Sequence, residues 1–562
     1  MNLQTPTVLE IDRKLREDFR RRVRDYGVST DTTDPLLAVL FRTVAQQIDE
    51  VYSDTAQLRV SLLHELMQGL HMEQYLARPA QAVVRLVQDR DEPRTLRAGT
   101  ELNAVASSGE RLIFSLDAAV DVSRARIALA LSYQDQSLRI LSGVEMSEDV
   151  QAARPSLDTV PIQLGPQPAL YLAVENLSPQ LLSRHGLFFE LGPGTYAVQH
   201  ALAHEPWWIF GSDGELSSSG LMRPERINAG LMQLRFYGDL ARTENHAASA
   251  RPSIPDGFYA GRQFVFPSMS AEQNLLCRVP RLLEPAMARL VNRDVSQIFH
   301  EPRFWIKIPM PPGVPALHHA ISGIVLHAMT ASNVFVRNQT VHFAQDGTSF
   351  PISKAGGVPE HLVAPLTVMS IENEPYDRGT RPRTRSTAGW YELSNGRLTL
   401  TPGARENGMR DTAANIRLWL TNGHLGNSVG PGDITGFASA ALAGLHVAPL
   451  TAASGGTDGD TLPTEERRFA NALLTRGRIV TRADLETAAL AIDRRILAAA
   501  ASSGVERREG GLRRVERLSL TLDPHGFSRP EVELPALKSQ VEVTLRGRLV
   551  QGVDLEVQFL WN

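Results

Sequence analysis

From Asp34 to Arg78 the apolar positions Leu37, Phe41, Val44, Ile48, Val51, Leu58 and Leu62 fall at spacings that keep one narrow stripe on a helix, with Thr55 its one polar member. Arg42, Gln46, Gln47, Asp49, Glu50, Asp54 and Arg59 lie between them as a solvated face. Asp34 is a good N-cap, because its carboxylate accepts a free N–H of the first turn, and Pro35 costs no hydrogen bond at the first helical position. Neither Pro nor Gly interrupts before Gly69. A helix from Pro35 to about Ala77 would be roughly 60 Å long, more than one ordinary core covers, so the stripe predicts a partner. That partner is the preceding segment, another subunit, or both. Val8 to Tyr26 repeats the helical pattern with Leu9, Leu15, Phe19 and Val23 before Gly27, and Ser29 to Thr33 is a polar turn of the length that joins antiparallel helices. The N-terminus therefore reads as a long helical hairpin.

Beyond Pro79 the period shortens to that of strands. They are predicted at Val83–Val87, Thr95–Leu102, Arg111–Ser115, Ile127–Ser132, Leu170–Glu175, Leu187–Leu191, Gln233–Tyr237 and Phe304–Ile308, with Gly, Pro and Ser between them. Leu177–Arg184 and Ala271–Arg289 have the pattern of short helices, and Pro309–Pro315 that of a turn. Trp390–Leu393 and Arg397–Thr401 flank Asn395-Gly396, a dipeptide that favours a tight hairpin turn, and Ile416–Leu420 adds a strand. Ala452–Pro463 has too little apolar matter to pack and reads as a linker. After it, Thr481 caps a helix to about Ala491, with strands at Arg494–Ala501, Arg517–Leu522 and Asp554–Trp561 and a helix at Leu534–Leu545. That order is that of a split βαβ, ferredoxin-like unit. The predicted fold is α+β: a helical hairpin over 1–78, β-rich domains over 79–310 and 311–450, a linker over 451–463 and an α+β domain over 464–562.

Composition removes partners more than it adds them. A net charge of -4 over 562 residues leaves no basic excess for nucleic acid or anionic lipid. The basic, Pro-interrupted stretch Tyr376–Thr387 reads as a solvated or docking loop. The single Cys277 allows neither an intrachain disulfide nor a cysteine-rich zinc site. The first ten residues lack a basic region followed by an apolar core, and nowhere do about eighteen apolar residues run together, so neither a signal peptide nor membrane insertion is predicted.

No chemistry assembles along the chain. His64-Glu65 opens like a zinc-protease motif, but Gln68 stands where the second histidine belongs. His64 and His71 share a helix face without a third ligand. Gly192 to Ala197 matches a nucleotide-binding pattern by letters, yet Pro206 follows too soon for a crossover helix, so a surface turn is expected. His318-His319 has no acid or nucleophile nearby in sequence, and Cys277 between apolar neighbours reads as a buried thiol. The sequence predicts no catalytic residue, metal or cofactor. The competing reading is a carbohydrate-active or other β-rich multidomain enzyme with Trp207, Trp208 and Trp390, which needs two facing carboxylates in a cleft.

Several stretches resemble one family. Asp34-Pro35 opening a long helix, Leu62-Leu63-His64-Glu65-Leu66, and Tyr75-Leu76-Ala77-Arg78-Pro79 leading into a strand are similar to TssF, the wedge subunit of the type VI secretion baseplate. They are also similar to the related J-type baseplate proteins of contractile phage tails and phage-tail-like particles. Leu96 to Leu102 resembles a strand turn shared by both, with Arg97 in place of the usual proline; Leu418 to Gly423 resembles a TssF strand ending in Thr-Asn-Gly; Arg476 to Glu486 resembles the J-type turn into a C-terminal helix. The resemblance implies a non-enzymatic wedge protein, two copies of which are held by one TssG-like subunit through a shared helical core. It further implies a gp25-like wedge protein, the hub and spike, and the sheath as neighbours, and a cytoplasmic baseplate that docks at the inner membrane or leaves in a phage-tail-like particle. On that reading Leu37, Phe41, Val44, Ile48, Val51, Leu58 and Leu62 form the interface.

Overall fold

The computed structural model describes residues 8–25, 38–49, 51–52, 76–88, 93–141, 159–176, 184–192, 195–228, 231–237, 259, 261–267, 275–291, 301–343, 348–353, 357–364, 366–378, 389–394, 397–403, 412–442, 444–459, 479–493, 495–508, 511–524, 527, 534, 537–538, 541–542, 544–546, 548–549 and 553–561. It is α+β and dominated by strands. The strands follow from continuous apolar runs that bury both faces of a sheet. Along Ala169–Glu175 every residue is buried. Leu170, Leu172 and Val174 enter one core while Ala169, Tyr171 and Ala173 enter the other. Phe304, Ile306 and Ile308 divide from Trp305 in the same way. Each face is covered by a helix: Tyr196–His204 supplies Val198, Ala201 and Leu202 to the first core, and Glu284–Val291 supplies Ala286, Met287 and Leu290 to the second.

These strands belong to an eleven-stranded, mostly antiparallel sheet that starts at Ile321–Leu326 and Gly186–Leu191 and ends at Ser137–Ile140 and Thr159–Pro161. A six-stranded sheet runs in the order Ile434–Phe437, Glu101–Val105, Arg111–Leu116, Ala328–Ser332, Gln81–Gln88, Leu445–Pro449. Two four-stranded sheets, one around Ala413–Thr421 and one holding the hairpin of Gly389–Ser394 and Arg397–Pro402, close a third core through Leu398, Leu400, Ile416, Leu418 and Leu420.

The sheets do not divide where the sequence was cut. Ile321–Leu326, beyond the 310/311 boundary, completes the eleven-stranded sheet, and Ala328–Ser332, Ile434–Phe437 and Leu445–Pro449 pair with strands that precede residue 117. The chain leaves and re-enters each sheet, so the two β-rich domains are interleaved. The expected linker is corrected over its described part: Ala452, Ala453 and Ser454 are buried, Ser454 bridges Gln81, and Thr457 bridges Arg78. Its small residues let the backbone pair closely, which composition alone read as a failure to pack.

Four further expectations change. In the segment predicted as a helix over Ala271–Arg289, the helix starts only at Glu284, because Cys277 bridges Arg303 and Pro280 sits in the turns before it. The segment after Gly192 is more than a surface turn, since Thr195 is buried and precedes the Tyr196–His204 helix. The long N-terminal helix does not reach Ala77, whose N–H donates to the Leu362 carbonyl in extended chain. The C-terminal unit is not a split βαβ: Ile496–Arg508 and Gly511–Leu522 form a hairpin, and Val553–Trp561 pairs directly and in parallel with the latter, with no strand between. Its first helix, Arg482–Leu490, has the expected cap, the Asp484 N–H donating to Thr481 Oγ1 at 3.1 Å and the Thr481 N–H to Asp484 Oδ2 at 2.8 Å.

Candidate interaction site and the joint behind it

The first helix, Val8–Asp25, is amphipathic, with Ile11 buried and Leu15 and Phe19 half-buried; Leu9, counted among its apolar positions from sequence, points to solvent. A second helical stretch covers 38–49 and 51–52. The two meet through Phe19 and Phe41, whose rings stand edge to face at 5.3 Å, with the Arg16 guanidinium 5.9 Å from the Phe41 ring and itself held by Asp12 at 3.0 Å. Phe41, Val44 and Ile48 are half-buried and Ala45 is fully buried. That part of the predicted stripe contains a direct contact within this chain, the intramolecular hairpin.

Val51 departs from it at 65% exposure. Leu37, Leu58 and Leu62 lie outside the described residues. The open apolar surface is instead a flank: Leu40 is 57% exposed and Val51 stands eleven residues on, about three turns, so the two point in nearly the same direction. Leu9, Val39 and Tyr52 are exposed apolar residues of the same helix pair. Leu40 was missed because it falls outside the three-and-four stripe, although its eleven-residue interval to Val51 is visible in the sequence.

The Thr-Asn-Gly motif sits at the opposite extreme of burial. Asn333 Nδ2 donates to the Ile113 carbonyl at 2.9 Å and to Asn422 Oδ1 at 3.0 Å, while its Oδ1 accepts from Thr421 Oγ1 at 3.0 Å and the Asn422 N–H at 2.7 Å. The Asn333 N–H reaches the Ala80 carbonyl at 2.8 Å. One carboxamide thus ties the six-stranded sheet to the strand Ala413–Thr421. Asn427 exchanges two bonds with the Gly456 backbone at 2.7 and 2.8 Å, and Asp458 Oδ1 takes the His424 N–H at 2.9 Å beside His361 Nε2 at 3.3 Å. Gly423, at φ +56°, has no room for a Cβ against that carboxylate.

Several titratable groups in the body are held in packing contacts. Cys277 is buried, and burial, aided by Asp213, pushes its thiol up to about 12, so it is not a nucleophile at neutral pH. It forms the wall of a cleft of about 510 Å³ whose charged lining mixes Asp213 and Glu284 with Arg278 and Arg281. Glu175 is buried and taken by Arg126 and by Arg303, the latter at 3.2 Å, which leaves no carboxylate there for acid–base work. Trp207 is fully buried with its indole N–H on the Leu202 carbonyl at 3.1 Å, so it offers no sugar-stacking face. His318 accepts from Arg139 at 2.9 Å; burial, Arg139 and His319 lower its pKa, which favours the neutral ring. Among the described residues no three His, Cys, Asp or Glu side chains converge as metal ligands, and His64 and His71 lie outside them. No described helix is long and apolar enough to cross a membrane.

The candidate site is thus an exposed apolar flank on the helix pair. No protein-family model matches the sequence, and no curated protein does. Among solved structures, a chain of the type VI secretion TssK-TssF-TssG baseplate subcomplex is similar at 13% identity and a TM-score of 0.43, the match covering 93% of this chain and 96% of that one. A chain of the type VI secretion baseplate complex is similar at 13% identity and a TM-score of 0.37, over 99% of this chain and 96% of that one. One of the anti-feeding prophage baseplate is similar at 10% identity and a TM-score of 0.26, over 96% of this chain and 70% of that one.

Proposed function

We propose that this chain is a structural wedge subunit of the baseplate of a contractile injection machine. The observation that carries the reading is the open flank of Leu40 and Val51 on a helix pair whose neighbouring stripe contacts its own first helix through Phe19 and Phe41. It stands beside the stretches of the sequence that resemble the family, of which the TssF-like Thr421-Asn422-Gly423 forms the structural joint and Thr481 to Asp484, in the J-type turn, the helix cap. On this reading the flank docks on a TssG-like subunit that also holds a second copy of this chain. A gp25-like wedge protein, the hub and the sheath are the further neighbours, and baseplate rearrangement is coupled through the wedge to sheath contraction. The chain then works in the cytoplasm as part of that baseplate and carries no catalytic role.

Coexpression with a TssG-like subunit tests this. The expected result is a stable complex with more than one copy of this chain, lost in the double variant Leu40→Asp, Val51→Asp while the β-rich body stays folded. A monomer that gains nothing from coexpression overturns the shared-bundle reading.

A further inference from the structure

His327 occupies the one residue between Ile321–Leu326, the edge strand of the eleven-stranded sheet, and Ala328–Ser332, a strand of the six-stranded sheet. It takes φ +57°, a left-handed conformation unusual for a residue with a side chain, and so makes the kink by which the chain changes sheets. Its carbonyl accepts the Leu86 N–H at 2.9 Å, and its Nε2 donates to the Ala125 carbonyl at 2.8 Å. The latter bond fixes the proton on Nε2, since a carbonyl only accepts. His185, at the head of Gly186–Leu191, lies with its ring 5.0 Å from that of His327. Its Nε2 is hydrogen-bonded to Ser123 Oγ at 2.7 Å, and that oxygen in turn accepts the Ala125 N–H at 3.1 Å. Ser123 and Ala125 lie in the crossing from Val120–Val122 to Arg126–Gln134, so the pair joins two places where the chain passes between sheets, this crossing and the kink at His327. Both side chains are buried.

We propose that His327, packed against the His185 ring, is an acid-sensitive latch between the eleven-stranded and six-stranded sheets, closed while the His327 imidazole is neutral and opened by its protonation. The charged group facing His327 from the Gln81–Gln88 strand is Arg85, which opposes a second positive charge, as does His185 itself. Asp121 contributes a backbone carbonyl that favours the proton, as does Ala125, while its carboxylate is held by Thr95 Oγ1 at 2.6 Å. Burial is the largest influence, and together these push His327 down to about 3. An opened or unfolded chain regains an imidazole near the ordinary value of about 6.5. The open form therefore binds the proton first, and the latch is at full strength above that value and weakens as pH falls below it.

Hydrogen exchange of the full-length chain at pH 7.5 and 5.5, corrected for intrinsic rates, reads the opening directly. For one histidine the opening equilibrium should rise about tenfold between these pH values. The rise should be confined to the segments 81–88, 121–126, 185–191 and 321–332, leaving 512–522 unchanged. Unaltered protection of those four segments overturns the latch. His327→Asn keeps a residue that tolerates the left-handed backbone and can still donate, and it should reduce the pH dependence; the same tenfold rise in that variant also overturns it. Should the variant not fold, the exchange of the unaltered chain decides alone.

Discussion

The joint around Asn333 and the N-terminal helix pair solve opposite problems with the same residue economy. At the joint, one buried carboxamide makes four bonds to two sheets and nothing on it faces water. On the helix pair, Phe41 meets the Phe19 ring and the Arg16 guanidinium, while Leu40, Val51 and Leu9 are exposed. A buried polar group is costly unless every partner is present, so the joint has one arrangement. A half-covered apolar helix gains from any matching surface, so the pair is open to a partner. Buried polar closure and exposed apolar surface are thus placed in different parts of one chain.

The comparison is broken most violently at the joint. Asn333→Leu is nearly the same size but leaves Thr421 Oγ1, the Asn422 N–H and side chain, and the Ile113 carbonyl short of a partner in the interior. We expect a loss of about 3–5 kcal/mol in urea unfolding of the β-rich body. A loss below about 1 kcal/mol would mean that Asn333 only decorates the junction.

How much of this was legible depends on range. The strand Ala169–Glu175 of the eleven-stranded sheet was readable because Leu170-Tyr171-Leu172-Ala173-Val174 is apolar at every position, and burial of both faces demands that, whereas short strands such as Gln263–Val265 went unread. The N-cap at Thr481 was readable because a cap is local, its hydroxyl accepting from a backbone N–H three residues on. Thr421-Asn422-Gly423 stood out as a motif, but its partner Asn333 is 89 residues from Asn422, a separation no local pattern spans. The same holds for His185 and His327, which sit at the ends of strands far apart in sequence. The stretch over 452–459 was misread because packing was equated with apolar bulk, whereas Gly456 is used for the close approach of its backbone to Gly423 and Asn427. At the helix pair, periodicity identified the stripe over Phe41, Val44 and Ile48 but could not say that Phe19 of the same chain meets it.

A middle-sized effect sharpens the contrast. Ile48→Asp puts a carboxylate in the half-buried stripe, where the site retains access to water. The cost should be about 1–3 kcal/mol and confined to the helix pair. Limited proteolysis should then cut before residue 76 while the β-rich body and the C-terminal unit resist. Equal resistance of variant and parent would remove Ile48 from the packed stripe.

The smallest expected effect is the most informative about binding. Val51 is 65% exposed, so Val51→Ser removes little buried surface, and the isolated chain should change stability by no more than about 0.5 kcal/mol. If Leu40 and Val51 form the docking flank, the same change removes two methyl groups from an interface core, and the complex with a TssG-like subunit should weaken by roughly tenfold, read as a faster off-rate in a pull-down or by biolayer interferometry. Equal binding by parent and variant would relocate the interface away from this flank. A stability loss above about 1 kcal/mol would instead show that Val51 is covered within this chain, and the division between a closed body and an open helix pair would fail at its most exposed residue.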